Sequence, residues 1–152
     1  MGTLLVTLHV LTAIFLIGPL TLAPFFGLRA VVRRDADAVR RAARATMLLA
    51  ATSGVVFGFG IGATALSDRF SYGTPWVTIS ITLSVVALLA LLLVATPALR
   101  SIAGLISDGE IATDPHAKAK MDSLRGRVAA SAGLTALIWA IVVILMMTKP
   151  FS

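Results

Sequence analysis

The sequence of 152 residues contains no cysteine and little charge, and its acidic residues are scarcer than its basic ones. Without cysteine the chain can form no disulfide, no thiolate metal site and no thiol nucleophile. Charged residues make up 13% of the chain and hydrophobic residues 58%. This balance is too apolar for a soluble domain, which must present a polar face to water. We therefore expect the lipid bilayer to be the solvent for most of the chain.

Four long apolar runs account for most of the length, at residues 4–28, 45–66, 76–99 and 128–147. At a helical rise of about 1.5 Å per residue, runs of this length cross a hydrocarbon core of roughly 30 Å. The sequence thus predicts an all-α, polytopic membrane protein, a single four-helix transmembrane bundle over residues 1–152. Basic connections lie at 29–44 and 100–127, and no room remains for a separate nucleotide-binding or hydrolase domain.

The basic residues indicate an orientation in the membrane. Of the 13 Lys and Arg residues, 11 lie in the connections 29–44 and 100–127. Because positive residues in short loops stay on the cytoplasmic side, both termini are predicted outside (N-out, C-out) in a bacterial cytoplasmic, or inner, membrane. No Lys or Arg precedes the first apolar run, which favours a retained helix over a cleaved signal peptide.

The net charge of +6 is typical of nucleic-acid-binding proteins when the chain is soluble. Here the charge flanks apolar spans, so anionic lipid headgroups are the expected partner and nucleic acid is not. The residues predicted to contact headgroups or a partner protein are five of the six arginines of the first connection, Arg33, Arg34, Arg40, Arg41 and Arg44.

Several helix ends are also predicted. Asp37 is expected to cap the second helix and to pair with Arg41 one turn later. Asp114 followed by Pro115 is typical of an N-cap and a first helical position, so helix four should begin well before its apolar run. Helix three is expected to continue to Gly109. The short outer connection carries aromatic residues typical of a membrane interface, namely Phe70, Tyr72 and Trp76.

Small residues predict where helices pack closely. In span two they recur every four positions, and span four offers a similar series. Such ridges allow another backbone to approach, so we expect spans two and four to pair; the alternative is a partner protein's helix on the ridge of span two. The residues are Ala50, Gly54, Gly58 and Gly62 in span two and Ala132, Ala136 and Ala140 in span four. In span one, Pro19 and Pro24 predict a kink.

Chemistry inside the spans depends on one residue, because His9 is their only ionisable side chain and all seven acids lie outside them. Spans without carboxylates argue against ion-coupled transport and membrane-embedded hydrolysis. The sequence also has no phosphate-binding loop, nucleophile elbow or HExxH helix. We predict no catalytic residue, no metal site and no enzymatic activity.

His9 itself is expected to be neutral and hydrogen-bonded to a neighbouring helix. The hydroxyls offered as partners are those of Ser53, Thr64, Thr78, Ser80, Thr82 and Ser84. Two alternatives stay open for His9: a haem or metal ligand, and a quinone contact.

The segment at residues 8–20, LHVLTAIFLIGPL, is followed by arginine-rich sequence. It resembles uncharacterised small four-helix integral membrane proteins of bacteria. These are distantly similar to copper-resistance-D-type and haem-pathway membrane oxidase families. The resemblance implies the four-span fold and places His9 at the helix-one histidine of those families, where haem would be the cofactor. No other residue of the chain maps onto that motif.

Our leading functional hypothesis is a non-catalytic accessory or assembly subunit of a larger inner-membrane complex, with a respiratory oxidase assembly as host. Its partners would be other integral membrane subunits, and it would hold no resident cofactor. A second hypothesis is a haem- or copper-handling membrane protein that uses His9. A third is a small homo-oligomeric transporter with its pathway at the kink near Pro19.

Overall fold

A computed structural model describes residues 2–65 and 74–148, and within these two ranges the chain is helical with no β-strand. Six α-helices follow in order: α1 (Gly2–Val32), α2 (Ala36–Thr52), α3 (Gly54–Ala65), α4 (Pro75–Ala90), α5 (Thr96–Ser107) and α6 (Pro115–Thr148). A π-helical turn at Leu91–Ala95 joins α4 to α5, and a 3₁₀ turn at Glu110–Ala112 precedes α6.

Within the described ranges, four stretches are long and apolar enough to cross a membrane. They are Leu4–Val32, Ala36–Ala65, Pro75–Ser107 and Pro115–Thr148. The predicted all-α class and four-span architecture are thereby confirmed, and each helical stretch is longer than its predicted apolar run. The orientation of the termini stays a prediction. Phe70 and Tyr72 lie outside the described residues.

The first span runs through two prolines without interruption. Proline removes a backbone donor, so Pro19 and Pro24 each leave a carbonyl one turn earlier without its helical partner. The hydroxyl of Thr21 donates to the Ile17 carbonyl oxygen at 2.7 Å, one of several hydroxyls that bond within their own helix. Pro24 is buried, so this side of α1 faces the bundle.

The second span is α2 and α3, separated at Ser53. The α2 half is amphipathic: its buried residues are Val39, Ala42, Ala43, Thr46 and Ala50, which share one face. Its arginines lie on the opposite, exposed side. The α3 half is apolar all round, as suits a helix that lipid surrounds.

The start of α2 corrects one prediction. Its N-cap is Asp35, whose Oδ1 accepts a hydrogen bond from the Ala38 backbone N–H at 2.8 Å. The predicted cap, Asp37, lies inside the first turn and pairs with Arg40 at 2.9 Å rather than with Arg41. The turn after α1 explains the difference: Arg34 adopts a left-handed conformation with φ of 54° and directs the chain into an extended Asp35.

The other predicted helix ends agree with the structure. The Asp114 Oδ1 accepts from the His116 backbone N–H at 2.8 Å, and Pro115 is the first residue of α6. Helix α5 ends at Ser107, and Gly109 follows with φ of 71°, a conformation that glycine adopts without steric cost.

The π-helical turn lies just before Pro97. Because proline has no backbone N–H, the regular hydrogen-bond ladder cannot continue through it. At the end of this turn the Leu91 carbonyl oxygen accepts from the Thr96 backbone N–H and from the Thr96 hydroxyl, the latter at 2.9 Å. Leu91 and Ala95 are fully buried here, so the turn forms part of the bundle interior.

Packing between the helices differs from the predicted pairing of spans two and four. Helix α2 packs against α1 and α5, α3 packs against α1, and α4 and α5 pack against α6. A close contact occurs instead at Gly27 of α1, where a Cβ atom would lie 2.8 Å from Leu99 Cδ2 and 3.2 Å from Ala42 Cβ. The expected close approach of spans two and four is therefore wrong: glycine brings α1 close to α2 and α5.

One buried cluster draws α1, α2, α5 and α6 together at the arginine-rich end of the bundle. Its members are Ala30, Val31, Val39, Ala43, Ala98, Leu99, Ile102, Ala103 and Val128. We call this end, defined by the connection between α1 and α2 and the connection between α5 and α6, the basic end.

Candidate functional site

His9 is half-buried and holds α1 to α3. Its Nδ1 lies 2.9 Å from the backbone carbonyl oxygen of Val56. A carbonyl can only accept, so Nδ1 carries the proton and the neutral ring leaves its Nε2 lone pair unused by this contact. This is the hydrogen bond to a neighbouring helix that the sequence led us to expect.

A glycine makes room for the ring. At Gly60, a Cβ atom would lie 3.0 Å from His9 Cε1 and 3.1 Å from His9 Nδ1. Sequence reasoning missed this residue, because Gly60 falls between Gly58 and Gly62 and off their four-residue series. The alternating glycines at 58, 60 and 62 were the available signal, but only the packed structure shows which one faces α1.

Four of the hydroxyls proposed as partners of His9 are bonded within their own helix, and the buried Ser80 hydroxyl has no partner among the described residues. Ser53, Thr64 and Ser84 each donate to a carbonyl of their own helix, at 2.7, 3.0 and 2.7 Å. Thr12, which shares the His9 face of α1, donates to the Leu8 carbonyl at 2.7 Å. Within a membrane a helical hydroxyl commonly donates to the carbonyl four residues earlier, and His9 donates to a backbone carbonyl.

The donor set around His9 is small. The parts of the chain that the structure describes contain no group of three or more His, Cys, Asp and Glu side chains able to hold a metal ion. The second histidine, His116, is exposed at the start of α6, at the basic end, whereas His9 lies in the opposite half of α1. The two imidazoles therefore cannot act together within one chain.

The small-residue ridge of span two divides into two parts. Ala50 is buried, and a Cβ atom at Gly62 would meet Leu5 Cδ1 at 3.8 Å. Gly54 and Gly58 are exposed, and a Cβ atom at either would have no neighbour within 4 Å. In span four, Ala132 is buried and Ala140 is exposed, with Ala136 between them. The two central glycines of span two thus face the membrane.

The arginines at the basic end are largely unneutralised. Arg40 donates to Asp37 Oδ1 at 2.9 Å and to the Ser107 hydroxyl at 2.6 Å. The other five arginines of the first connection are exposed and form no ion pair with any described residue: Arg29, Arg33, Arg34, Arg41 and Arg44. This surface therefore presents several free guanidinium groups next to an apolar helix bundle.

Four spans, no assembled catalytic set in the described residues and a basic end are typical of a small integral membrane protein. A family model described as "Predicted integral membrane protein (DUF2269)" matches residues 3–150, almost the whole chain. The chain belongs to this family. Membership in DUF2269 confirms the resemblance to uncharacterised integral membrane proteins, while the more distant similarity to copper-resistance-D-type proteins stays a prediction. No curated protein and no solved structure matches the chain.

Proposed function

We propose that this DUF2269 protein is a non-catalytic accessory or assembly subunit of a larger complex in the bacterial inner membrane, with a respiratory oxidase assembly as host. The observation that carries the proposal is the outward position of Gly54 and Gly58. Both glycines are exposed, with open space where a side chain would begin.

Exposed glycines in a membrane helix are useful mainly to a partner helix. Glycine lowers helix stability relative to alanine by about 1 kcal/mol and offers lipid little contact area. Two glycines one turn apart form a shallow notch, in which a second backbone can approach closely enough for extensive van der Waals contact. Val55 and Ile61 are exposed beside this notch and would supply its apolar rim.

The basic end supports the same role. Its free arginines suit either anionic headgroups or an acidic surface on a partner subunit, and the positive-inside rule would place them in the cytoplasm. Arg33, Arg34 and Arg44 are the exposed candidates for such contacts. The notch would thus pack against a partner helix within the bilayer, and the arginines would make electrostatic contacts at the membrane surface. Neither contact requires a catalytic step.

The test is capture of the tagged protein from its native membrane after mild detergent extraction. Native sizing and quantitative mass spectrometry should find it in a particle far larger than its own 15.8 kDa, together with stoichiometric membrane subunits. Gly58→Leu fills the notch and should release the protein from that particle. Gly133→Leu is the matched control, because Gly133 is also an exposed helix glycine with no atom within 4 Å of a Cβ, but it lies on α6.

Two results would contradict the proposal. One is a wild-type protein that runs alone or as a small homo-oligomer. The other is equal behaviour of Gly58→Leu and Gly133→Leu in an otherwise intact complex. Respiratory oxidase subunits among the captured proteins would support the named host. A different set of membrane subunits would identify another host and still support the accessory role.

A second candidate function, haem handling, is favoured by the tautomer of His9. Metal-ligating histidines commonly donate their other ring N–H to a backbone carbonyl, as His9 does to Val56. The Nε2 atom of His9 would be the atom that holds a haem iron, and the haem would supply redox chemistry. A visible haem absorption band that His9→Ala abolishes would support this candidate, and a colourless preparation would remove it.

A further inference from the structure

An open apolar groove runs along the outer surface between α1 and α2 in the half of the bundle nearest the basic end. From α1 it is lined by Gly18, Pro19, Leu22, Ala23 and Phe26, and from α2 by Ala38, Arg41, Ala42, Ala45 and Leu49. Arg41 is the only charged residue of this lining. The groove is distinct from the notch at Gly54 and Gly58, which belongs to α3.

The dimensions of the groove match one membrane leaflet. From Gly18 to Phe26, within the apolar run 4–28, α1 rises about 12 Å, which is most of one leaflet of a hydrocarbon core of roughly 30 Å. Small residues make the groove deep enough to hold a chain: Gly18 has no side chain, and three alanines line the α2 wall. A straight hydrocarbon chain could therefore lie between the two helices from the basic end to the level of Gly18.

The charge at one end of the groove is unneutralised. Asp37 lies one turn before Arg41, but its carboxylate is 2.9 Å from Arg40 and bonds that residue. Arg41 is exposed and forms no hydrogen bond or ion pair with any described residue. Helical side chains tilt toward the helix N-terminus, which for α2 is the basic end, so the guanidinium extends toward the level of the headgroups.

We propose that this groove is a binding site for one anionic phospholipid, with an acyl chain against Gly18, Ala45 and Leu49 and the phosphate at Arg41. The lining is apolar along its length and cationic at its interfacial end, which is the charge and polarity pattern of such a lipid. The proposal deepens the headgroup contact described under the proposed function, but it requires no partner subunit.

The test is native mass spectrometry of the purified full-length protein titrated separately with phosphatidylglycerol and with phosphatidylcholine of identical acyl chains. The wild-type protein should retain one phosphatidylglycerol about fivefold more tightly than phosphatidylcholine, as expected for one cation at the membrane surface. Arg41→Gln should abolish this preference and leave phosphatidylcholine retention unchanged. Arg127→Gln, an exposed arginine of α6 outside the lining, is the matched control and should keep the preference.

The acyl chain is tested by filling the groove. Gly18→Leu should weaken retention of both lipids, whereas Gly58→Leu, on α3, should leave both unchanged. Circular dichroism and gel filtration verify folding; if Gly18→Leu fails to fold, Ala45→Leu fills the same groove from α2.

Three results would overturn the proposal: equal wild-type retention of the two lipids, equal loss in Arg41→Gln and Arg127→Gln, or undiminished retention in a folded groove-filling variant. If the groove instead holds a partner helix in the native complex, we expect the isolated protein to retain the two lipids equally. Because the assay contains one protein and defined lipids, its outcome is independent of whether Gly58→Leu releases the protein from a complex.

Discussion

His9 and Gly60 face each other across the interface of α1 and α3, with only 3.0 Å between His9 Cε1 and the place where a Gly60 Cβ would lie. Because Gly60 has no side chain, the imidazole of His9 reaches the backbone carbonyl oxygen of Val56, which also lies on α3, at 2.9 Å. The histidine, the glycine and the carbonyl therefore form one interhelical contact within the apolar part of the bundle.

The Gly60→Ala substitution tests this contact. The added methyl would press on the ring and lengthen the bond to Val56, so the free energy of unfolding should fall by about 1–3 kcal/mol. Gly58→Ala is the control, because its methyl would enter open space. Unfolding of both variants in mixed micelles, followed by circular dichroism, measures the difference; equal stabilities would contradict the described packing.

The protonation of His9 is a separate prediction. Since Nδ1 donates to a carbonyl, the neutral ring should be the Nδ1–H tautomer, with an unprotonated Nε2. Nitrogen NMR of histidine-labelled protein at neutral pH distinguishes the two tautomers by the shifts of the two ring nitrogens. The exposed His116 serves as the internal reference. An Nε2–H tautomer at His9 would show that the bond to Val56 is not formed.

Gly27 and Gly54 should respond oppositely to alanine. At Gly27 the new methyl would meet Leu99 and Ala42 at 2.8 and 3.2 Å, and overpacking should lower the free energy of unfolding by about 1–3 kcal/mol. At Gly54 nothing lies within 4 Å, so the better helix propensity of alanine should leave stability unchanged or raise it by up to about 1 kcal/mol. The same unfolding assay in micelles compares the two variants. An unchanged free energy of unfolding in Gly27→Ala would contradict the close approach of α1 and α5.

The first turn of α2 predicts unequal roles for two aspartates. Asp35→Ala removes the N-cap and should lower the free energy of unfolding by about 1 kcal/mol. Asp37→Ala removes only an exposed ion pair with Arg40, worth less than about 1 kcal/mol. Hydrogen exchange of the amides at residues 36–40 would localise the effect. Equal protection in the two variants would indicate that Asp35 is not the cap.

Arg34 gives a prediction about backbone strain. Its φ of 54° is unfavourable for a residue with a Cβ atom, so Arg34→Gly relieves about 1 kcal/mol while it gives the unfolded chain more freedom. The net change should be near zero or a slight gain. Arg33→Gly gives the unfolded chain the same additional freedom but relieves no backbone strain, so it should destabilise the protein. If both substitutions lower the free energy of unfolding equally, Arg34 does not adopt the left-handed conformation in the turn between α1 and α2.

Much of the architecture was predictable because it depends on local properties. The number of spans follows from apolar runs long enough to cross a bilayer. The start of α6 at Asp114 and Pro115 and the end of α5 before Gly109 follow from the capping preferences of those residue types. Asp35 and Asp37 show where local reasoning reaches its limit: both suit an N-cap, and the left-handed turn at Arg34 selects the first.

The partners of each helix face required the tertiary structure. Hydropathy does not distinguish a leucine that contacts lipid from one that contacts another helix, because both environments are equally apolar. For the same reason, the glycine series of span two could not reveal that Gly60 contacts His9 while Gly54 and Gly58 face outward. The number of spans and the position of the basic end follow from the amino-acid sequence alone. Helix pairing depends on the shapes of side chains that come into contact only after the spans assemble.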